Sequence, residues 1–554
     1  MESRSDGVEE RDKVVILDFG GQYSHLIVRR CRELGVYAEL LPYDFPVEEL
    51  KKGVEREKGK GKIMGIIFSG SPFSVLDENS PKCSSAVLNL GVPVLGICYG
   101  AQLIAHLNGG RVRRGERGEF GSADFFFKKE ERLFKGIADG ESGSSGSSGG
   151  SSGSGEGEGD GKVGKTKVWM SHEDVIEDLG SGGEVIGWTE NTPVAAFRIR
   201  SNIYGVQFHP EVHHTEKGKE ILRNFLFEIC FCERNWRIDE DFVRKKVEEI
   251  RREVGDGRVV CALSGGVDSF TTAVLVHKAI GERLTCIFID HGLLREGERE
   301  EVLKSLENSG MRFVFVDASQ RFLSALRGVK DAEEKRKVIG RLFLEVFEEE
   351  ARKIGAEFLA QGTIYPDRIE SARAGASKGR ASRIKSHHNV GALPERLNLK
   401  LVEPLRDLYK DEVRALAKTL RIPEGILKRH PFPGPGLAAR IIGEVTAEKL
   451  RICRSASRIV EEELRKSGWY ERVWQAFAVV GDDLATGVFG DARKVGRIVI
   501  IRIVSSEEAM TADFVRLPYE ILERMSRRIT NEVEGVTWVA YAVSSKPPST
   551  IEPC

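Results

Sequence analysis

The sequence predicts a multidomain α/β protein that closes in a small α+β domain, and three observations carry that expectation. Short β-branched runs alternate with helical stretches over most of the chain. A 22-residue tract made of 10 Gly, 8 Ser and 4 acidic residues interrupts the first such set. After a proline-rich segment the style changes to long strands around one helix. The length of 554 residues allows about three to five domains. Hydrophobic residues at 40% and aromatic residues at 8% suffice for several buried cores and exclude a mostly disordered chain.

Taken in order, Val14–Phe19, Ile63–Ser69 and Val92–Cys98 read as strands bounded by turn residues. Gly140–Gly161 cannot form a core and is expected to be a disordered, flexible surface insertion. The sheet pattern resumes at Val168–Met170 and Ile203–Phe208, so the tract interrupts a domain of residues 13–234. A charged helix, Asp239–Glu253, opens a second α/β set over residues 235–432. Its strands are Val259–Leu263, Leu284–Asp290, Phe313–Val316 and Phe358–Gln361. Residues 433–554 form the last domain, with strands Ile498–Val504 and Val536–Val543 flanking a helix over Pro518–Val533.

Charge narrows the partners. Lys plus Arg number 84 against 85 Asp plus Glu, so the net charge of −1 favours neither nucleic acid nor an anionic membrane and leaves a small anionic ligand open. Nine cysteines without a CxxC pair suit a reducing compartment. Cys230 and Cys232 lack the companions of a structural zinc site. Met1–Lys13 is charged, and no run of about 18 apolar residues follows, so a soluble cytosolic protein is expected.

Two phosphate-binding patterns fail on context. Gly159–Thr166 satisfies GxxxxGK[ST], but a Gly/Ser tract precedes it and the strand-like Val168–Met170 follows, whereas a P-loop needs a strand before and a helix after. Gly434–Ala439 resembles GxGxxA, but Pro431, Pro433 and Pro435 exclude a central strand before it.

Gly96-Ile-Cys98-Tyr-Gly100 lies between an apolar strand and a helical stretch, Ala101–Leu107. That is the setting of a nucleophile elbow with cysteine as nucleophile, its sulfur at a helix N-terminus that favours the thiolate. A lone cysteine is more often a buried structural residue. Gly205–Glu211 supplies the second half: His209 can offer one ring nitrogen to Cys98 while Glu211, two residues on, orients the other. Together these residues resemble the class I glutamine amidotransferases. The resemblance implies that Ser69-Gly-Ser-Pro72 is the oxyanion loop and that Gln102, Ser171, His172 and Asp174 hold the substrate glutamine. The family usually has glycine where Ser71 stands. Serine keeps a backbone N–H donor provided that the loop needs no glycine-only dihedral.

Val259–Leu263 runs into Ser264-Gly265-Gly266-Val267-Asp268-Ser269 and then the helical Phe270–Ile280. Backbone N–H groups and two hydroxyls there can cradle phosphate at a helix N-terminus, without a Walker lysine. SGGVDS resembles the PP-loop of the ATP pyrophosphatases, doubly wound and adenine nucleotide alpha-hydrolase-like, which cleave ATP between α- and β-phosphates. That likeness implies Mg²⁺ on the pyrophosphate, with Asp268 at the phosphates and metal. A glutaminase joined to an adenylating module implies that ammonia, transferred unprotonated, attacks a carbonyl activated by AMP.

The acceptor is read from Lys335–Gly340, Gln361–Asp367, Ile384–Gly391, Arg429–Leu437 and Lys546–Glu552. These stretches resemble the GMP synthetase (glutamine-hydrolysing) family, which aminates xanthosine 5′-monophosphate (XMP) to GMP through an adenyl-XMP intermediate. The likeness runs from about Val14 to Glu552, the Gly/Ser tract excepted. It implies an XMP pocket in which Arg336 and Lys546 address the 5′-phosphate, Gln475 and Glu552 the purine edge, and the backbone at Ile551 completes the site. It implies a mobile lid carrying Lys385, His387 and His388, and a homodimer made by the last domain. Without a third ligand at fixed spacing, metal binding by His387 and His388 is the weaker reading. Departures from the family pattern are His291, Ser545 and the terminal Pro553-Cys554. The rivals are another glutamine-dependent adenylating amidotransferase, such as an NAD synthetase, and a nucleotide-binding scaffold without activity.

Overall fold

The computed structural model describes residues 11–137, 162–369, 399–506 and 511–554, so the Gly/Ser tract and Lys385, His387 and His388, which the sequence led us to expect in a lid, lie outside the described residues. The chain divides into two compact units, Met1–Arg237 and Ile238–Cys554.

The first unit is built on nine strands: β1 Lys13–Asp18, β2 Ala38–Pro42, β3 Ile63–Phe68, β4 Val94–Ile97, β5 Arg111–Lys128, β6 Val163–Asp178, β7 Gly183–Trp188, β8 Ala196–Ile199 and β9 Ile203–Val206. They form one sheet in the order β2-β1-β3-β4-β9-β8-β7-β5-β6. The first five in that order pair in parallel and the rest antiparallel. The parallel strands are almost wholly apolar because both faces are covered. β6 alternates buried and exposed residues along nearly its whole length. Its start at Val163 places the GxxxxGK[ST] lysine and threonine inside a strand where a P-loop needs a helix. The same strand runs well past the expected Val168–Met170, and its long partner β5 was not foreseen.

The second unit carries two sheets. β10 Val259–Leu263, β11 Leu284–Asp290, β12 Phe313–Asp317, β13 Phe358–Ala360 and β14 Lys400–Val402 form a parallel sheet in the order β12-β11-β10-β13-β14. β15 Gln475–Phe489, β16 Ala492–Ser505, β17 Asp513–Phe514 and β18 Val536–Tyr541 form the other. A single apolar core joins them: Val260, Ile287 and Leu359 of the first sheet belong to the same cluster as Ala478, Val499 and Ile501 of the second. The helix Ala447–Lys466, not foreseen, packs its buried face, including Ile452, Ala456, Ile459 and Val460, into that cluster. Among the described residues no helix is long and apolar enough to cross a membrane.

Candidate functional sites

Cys98 follows β4, at the carboxyl ends of the central parallel strands where open α/β sheets place their sites. Its φ of 52° is a left-handed conformation rarely taken by a residue with a side chain. The turn is enforced on both sides. A Cβ on Gly96 would lie 2.6 Å from the nitrogen of Ala101, and one on Gly100 2.4 Å from the carbonyl oxygen of Phe68. The helix Tyr99–Leu107 starts directly after the sulfur.

His209 is tied in place by its backbone: its N–H donates to the Trp169 carbonyl at 3.0 Å, and the Thr215 hydroxyl donates to its own carbonyl at 2.6 Å. Its Nδ1 lies 2.7 Å from Glu211 Oε1. A carboxylate only accepts, so Nδ1 carries the proton and the other ring nitrogen addresses Cys98. Burial by itself lowers the His209 pKa, but the charges of Glu211 and Cys98 and the hydrogen bonds to both outweigh it. The imidazole is therefore held well above its ordinary range. Glu211 is fully buried, and Arg30 Nε donates to its carbonyl at 2.9 Å. The loop Ser69–Ser71 passes alongside: a Cβ on Gly70 would sit 3.4 Å from His209 Cε1 and 3.9 Å from Cys98 Cβ. Ser71 has no positive φ, so serine meets the condition set by the sequence.

The four expected glutamine-binding residues converge on the same place. The carbonyl of Ser171 lies 3.5 Å from Cys98 Sγ. The carbonyl of Asp174 accepts from Gln102 Nε2 at 3.1 Å and from His172 Nδ1 at 2.9 Å, while its carboxylate accepts from the Ser74 hydroxyl at 2.5 Å. Sequence reasoning missed Tyr23, whose ring meets His209 edge-on at 5.2 Å, and Gln207, whose amide is 3.9 Å from Cys98 Sγ.

In the second unit, Ser264–Ser269 links β10 to the helix Val267–Ile280, whose N-cap is Gly266. Gly265 turns the loop with φ of 76°. The Ser269 hydroxyl closes it, 3.1 Å from both the Ser264 hydroxyl and the Gly266 carbonyl. Asp268 Oδ2 is 2.5 Å from Lys410 Nζ. Arg429 reaches the Gly265 carbonyl at 3.2 Å and pairs with Glu301. Neither Lys410 nor Arg429 was singled out as a site residue from the sequence.

Gln475, Ile551 and Glu552 come together, as expected of a shared pocket. Gln475 Nε2 donates to Glu552 Oε1 at 2.8 Å, and Arg502 Nε lies 3.4 Å from the Ile551 carbonyl. Arg336 pairs with Glu333 at 3.5 Å and lies within electrostatic reach of Cys554, and Lys546 pairs through its backbone with Ala512. The terminal Cys554 folds back so that its N–H donates to the Ala439 carbonyl at 3.2 Å. His291 proves to be a packed core residue. Its Nδ1 accepts the Leu293 N–H at 3.1 Å, and burial pushes its pKa down to about 4. Ser545 needs no glycine dihedral; its hydroxyl donates to the Pro547 carbonyl at 2.9 Å.

Three family models match the chain: glutamine amidotransferase class-I over residues 15–229, NAD synthase over 235–340 and GMP synthase C terminal domain over 462–553. The NAD synthase match spans the segment that holds the SGGVDS loop and ends at residue 340, whereas GMP synthases match over nearly the whole chain. GMP synthase [glutamine-hydrolyzing] of Aquifex aeolicus is 53% identical, covering 98% of this chain and 99% of the relative. Those of Symbiobacterium thermophilum and Carboxydothermus hydrogenoformans are each 52% identical with the same coverage. Identity at that level over nearly the full length, with a cysteine elbow in one unit and a PP-loop in the other, shows that the chain belongs to the glutamine-hydrolysing GMP synthase family.

Proposed function

We propose that Cys98, His209 and Glu211 form a glutaminase whose ammonia is consumed at the Ser264–Ser269 loop, with the acceptor selected by Gln475 and Glu552. The overall reaction is that of the family: XMP is aminated to GMP with glutamine as nitrogen donor, and ATP is cleaved to AMP and pyrophosphate.

In the first half-reaction the Cys98 sulfur attacks the side-chain amide of glutamine. The backbone at Ser69–Ser71 meets the developing oxyanion, and His209 passes a proton to the departing ammonia. Water then releases glutamate from the thioester. Glu211 orients the imidazole and stabilises its charged form. In the second, the C2 oxygen of XMP attacks the α-phosphorus of ATP and pyrophosphate leaves. Ammonia then adds to C2 of adenyl-XMP and AMP departs. The observation that carries this reading is the left-handed Cys98 at a strand end beside a His209–Glu211 contact of 2.7 Å.

Magnesium is the expected companion of ATP, and Asp268 suits it. Its Oδ1 is buried without a hydrogen-bond partner. When bound, that ion supplies charge neutralisation at the leaving pyrophosphate.

Arg336 and Lys546 are assigned to the XMP phosphate, Ile551 to the pocket backbone, and Lys385, His387 and His388 to the lid. The division into domains 13–234, 235–432 and 433–554 follows the family resemblance, and the last two lie in the one compact unit Ile238–Cys554. A homodimer through the last domain is supported by exposed Leu484, Val488 and Val495 on β15 and β16. A cytosolic setting is supported by nine unpaired cysteines. The test is AMP formation from ATP with ammonium salts as nitrogen source, comparing XMP with inosine 5′-monophosphate (IMP), which has no C2 oxygen. AMP release with XMP alone is expected; equal release with both, or none with XMP, contradicts the assignment.

A further inference from the structure

The proline-rich segment and the last residues of the chain meet at one buried cation. Gly436–Arg440 forms a 3-10 turn directly after Pro431, Pro433 and Pro435. Gly436 has φ of 62°, and a Cβ there would come within 2.5 Å of the Leu293 carbonyl oxygen, which instead accepts the Leu437 N–H at 2.9 Å. The pinned turn delivers Arg440, 1% exposed, against the rings of Phe477 and Phe432, 4.3 and 4.9 Å from their centroids. A guanidinium so far from water needs a fixed partner. It has one: Nε and Nη2 both approach Glu552 Oε1, at 3.4 and 3.2 Å.

Gln475 Nε2 points at the same oxygen at 2.8 Å and also at the Pro431 carbonyl at 3.0 Å. Turning that amide over would set its oxygen against two acceptors, so its orientation is fixed. The hydrogen-bond inventory then closes in one direction. Glu552 Oε1 is engaged by Arg440 and Gln475, and among the described residues its Oε2 takes no donor. Both hydrogens of the Gln475 amide are engaged, which leaves its oxygen free to accept. Among the described residues the free atoms of the Glu552 and Gln475 side chains are therefore acceptors. In its neutral form, the one such an edge would select, xanthine carries ring N–H groups at N1 and N3, whereas hypoxanthine has one at N1 and a bare lone pair at N3.

We propose that Arg440 is a positioning residue for acceptor choice: by holding one oxygen of Glu552 it fixes the carboxylate so that its other oxygen, with the Gln475 amide oxygen, meets the purine as an acceptor and favours a purine with two ring N–H groups. The inference rests on the reading that Gln475 and Glu552 address the purine. It gives the proline-rich turn a task, and it separates holding the carboxylate from touching the ligand.

The test is calorimetric binding of XMP and IMP to the full-length wild type, Arg440→Lys and Glu552→Gln. Arg440→Lys keeps the charge and loses the fork. It is expected to raise the Kd for XMP about tenfold and that for IMP less than about threefold. Equal factors for both nucleotides, or no change in either, would overturn the positioning role. Should Arg440→Lys fail to fold, Glu552→Gln decides. Arg440 and Gln475 hold the new amide oxygen inward and turn its NH₂ toward the ligand, so XMP weakens about tenfold or more while IMP, whose N3 now meets a donor, tightens. An unchanged XMP to IMP ratio there overturns the inference. A wild type that binds IMP as tightly as XMP contradicts instead the underlying assignment of Gln475 and Glu552 to the purine.

Discussion

The glutaminase site and the acceptor edge each rest on a carboxylate that positions a neighbour or is positioned by one, yet they are assembled over different distances along the chain. His209 and Glu211 are two residues apart, on a turn leaving β9. Arg440 and Glu552 are 112 residues apart and meet only when the tail has folded back onto the proline-rich turn. Glu211 is fully buried, whereas the Glu552 side chain keeps 15% of its surface open. The difference separates two kinds of design. A local pair fixes chemistry that must not vary, and a long-range pair ties recognition to completion of the fold, so that changes far from the purine edge reach it.

The largest effect is expected at the local pair. Glu211→Gln leaves the geometry nearly intact but removes the charge that supports the imidazolium, and glutamine hydrolysis is expected to fall by roughly 10²–10⁴. The pH profile of the residual activity sharpens the point. The His209 pKa is raised, so its proton persists above the ordinary histidine range and is lost only as pH rises through the raised value. Any stability from the pair is correspondingly full below about pH 6.5 and fades on the alkaline side. Removing the Glu211 charge lowers that pKa, so the alkaline limb of the profile moves to lower pH. An unmoved limb would detach Glu211 from His209.

Asp268→Ala is expected to reduce synthesis from either nitrogen source by about 10²-fold or more, measured as AMP release, while the Cys98 chemistry itself persists. Wild-type turnover with ammonium salts would remove Asp268 from the ATP site. At the acceptor edge, Lys546→Ala is expected to raise the KM for XMP by roughly 10- to 150-fold with little change for ATP, the effect of one charge-assisted hydrogen bond. A normal KM would leave the phosphate to Arg336. The smallest effect is expected at His291. Asparagine there can still accept the Leu293 N–H, so His291→Asn should cost about 1 kcal/mol or less in thermal unfolding and leave activity alone. A large loss of synthesis would show that the buried ring does more than fill space.

The same contrast explains what the sequence made legible. β10 and β11 were placed to the residue because continuous apolar runs end in turn residues there. Cys98, His209 and Glu211 were readable because a strand, a glycine-flanked turn and a two-residue spacing impose their geometry locally. β6 was read too short. The Gly/Ser tract obscured its start, and the polar Ser171, His172 and Asp174 broke the apolar run although they stand on a regular strand. Lys410 lies 142 residues from Asp268, and Arg440 sits where an apolar side chain is the usual occupant. Neither pairing has a local signature. The proline-rich segment was recognised as a family feature, but its physical task emerged only with the tail in place.

Two separate chemistries share one chain, and Cys98→Ala tests that division most directly. Cys98 serves only the release of ammonia, so GMP formation with glutamine should vanish while GMP formation with added ammonium salts stays near the wild-type rate. Loss of both activities in a variant that melts like the wild type would contradict the division of labour between the Cys98 elbow and the Ser264–Ser269 loop.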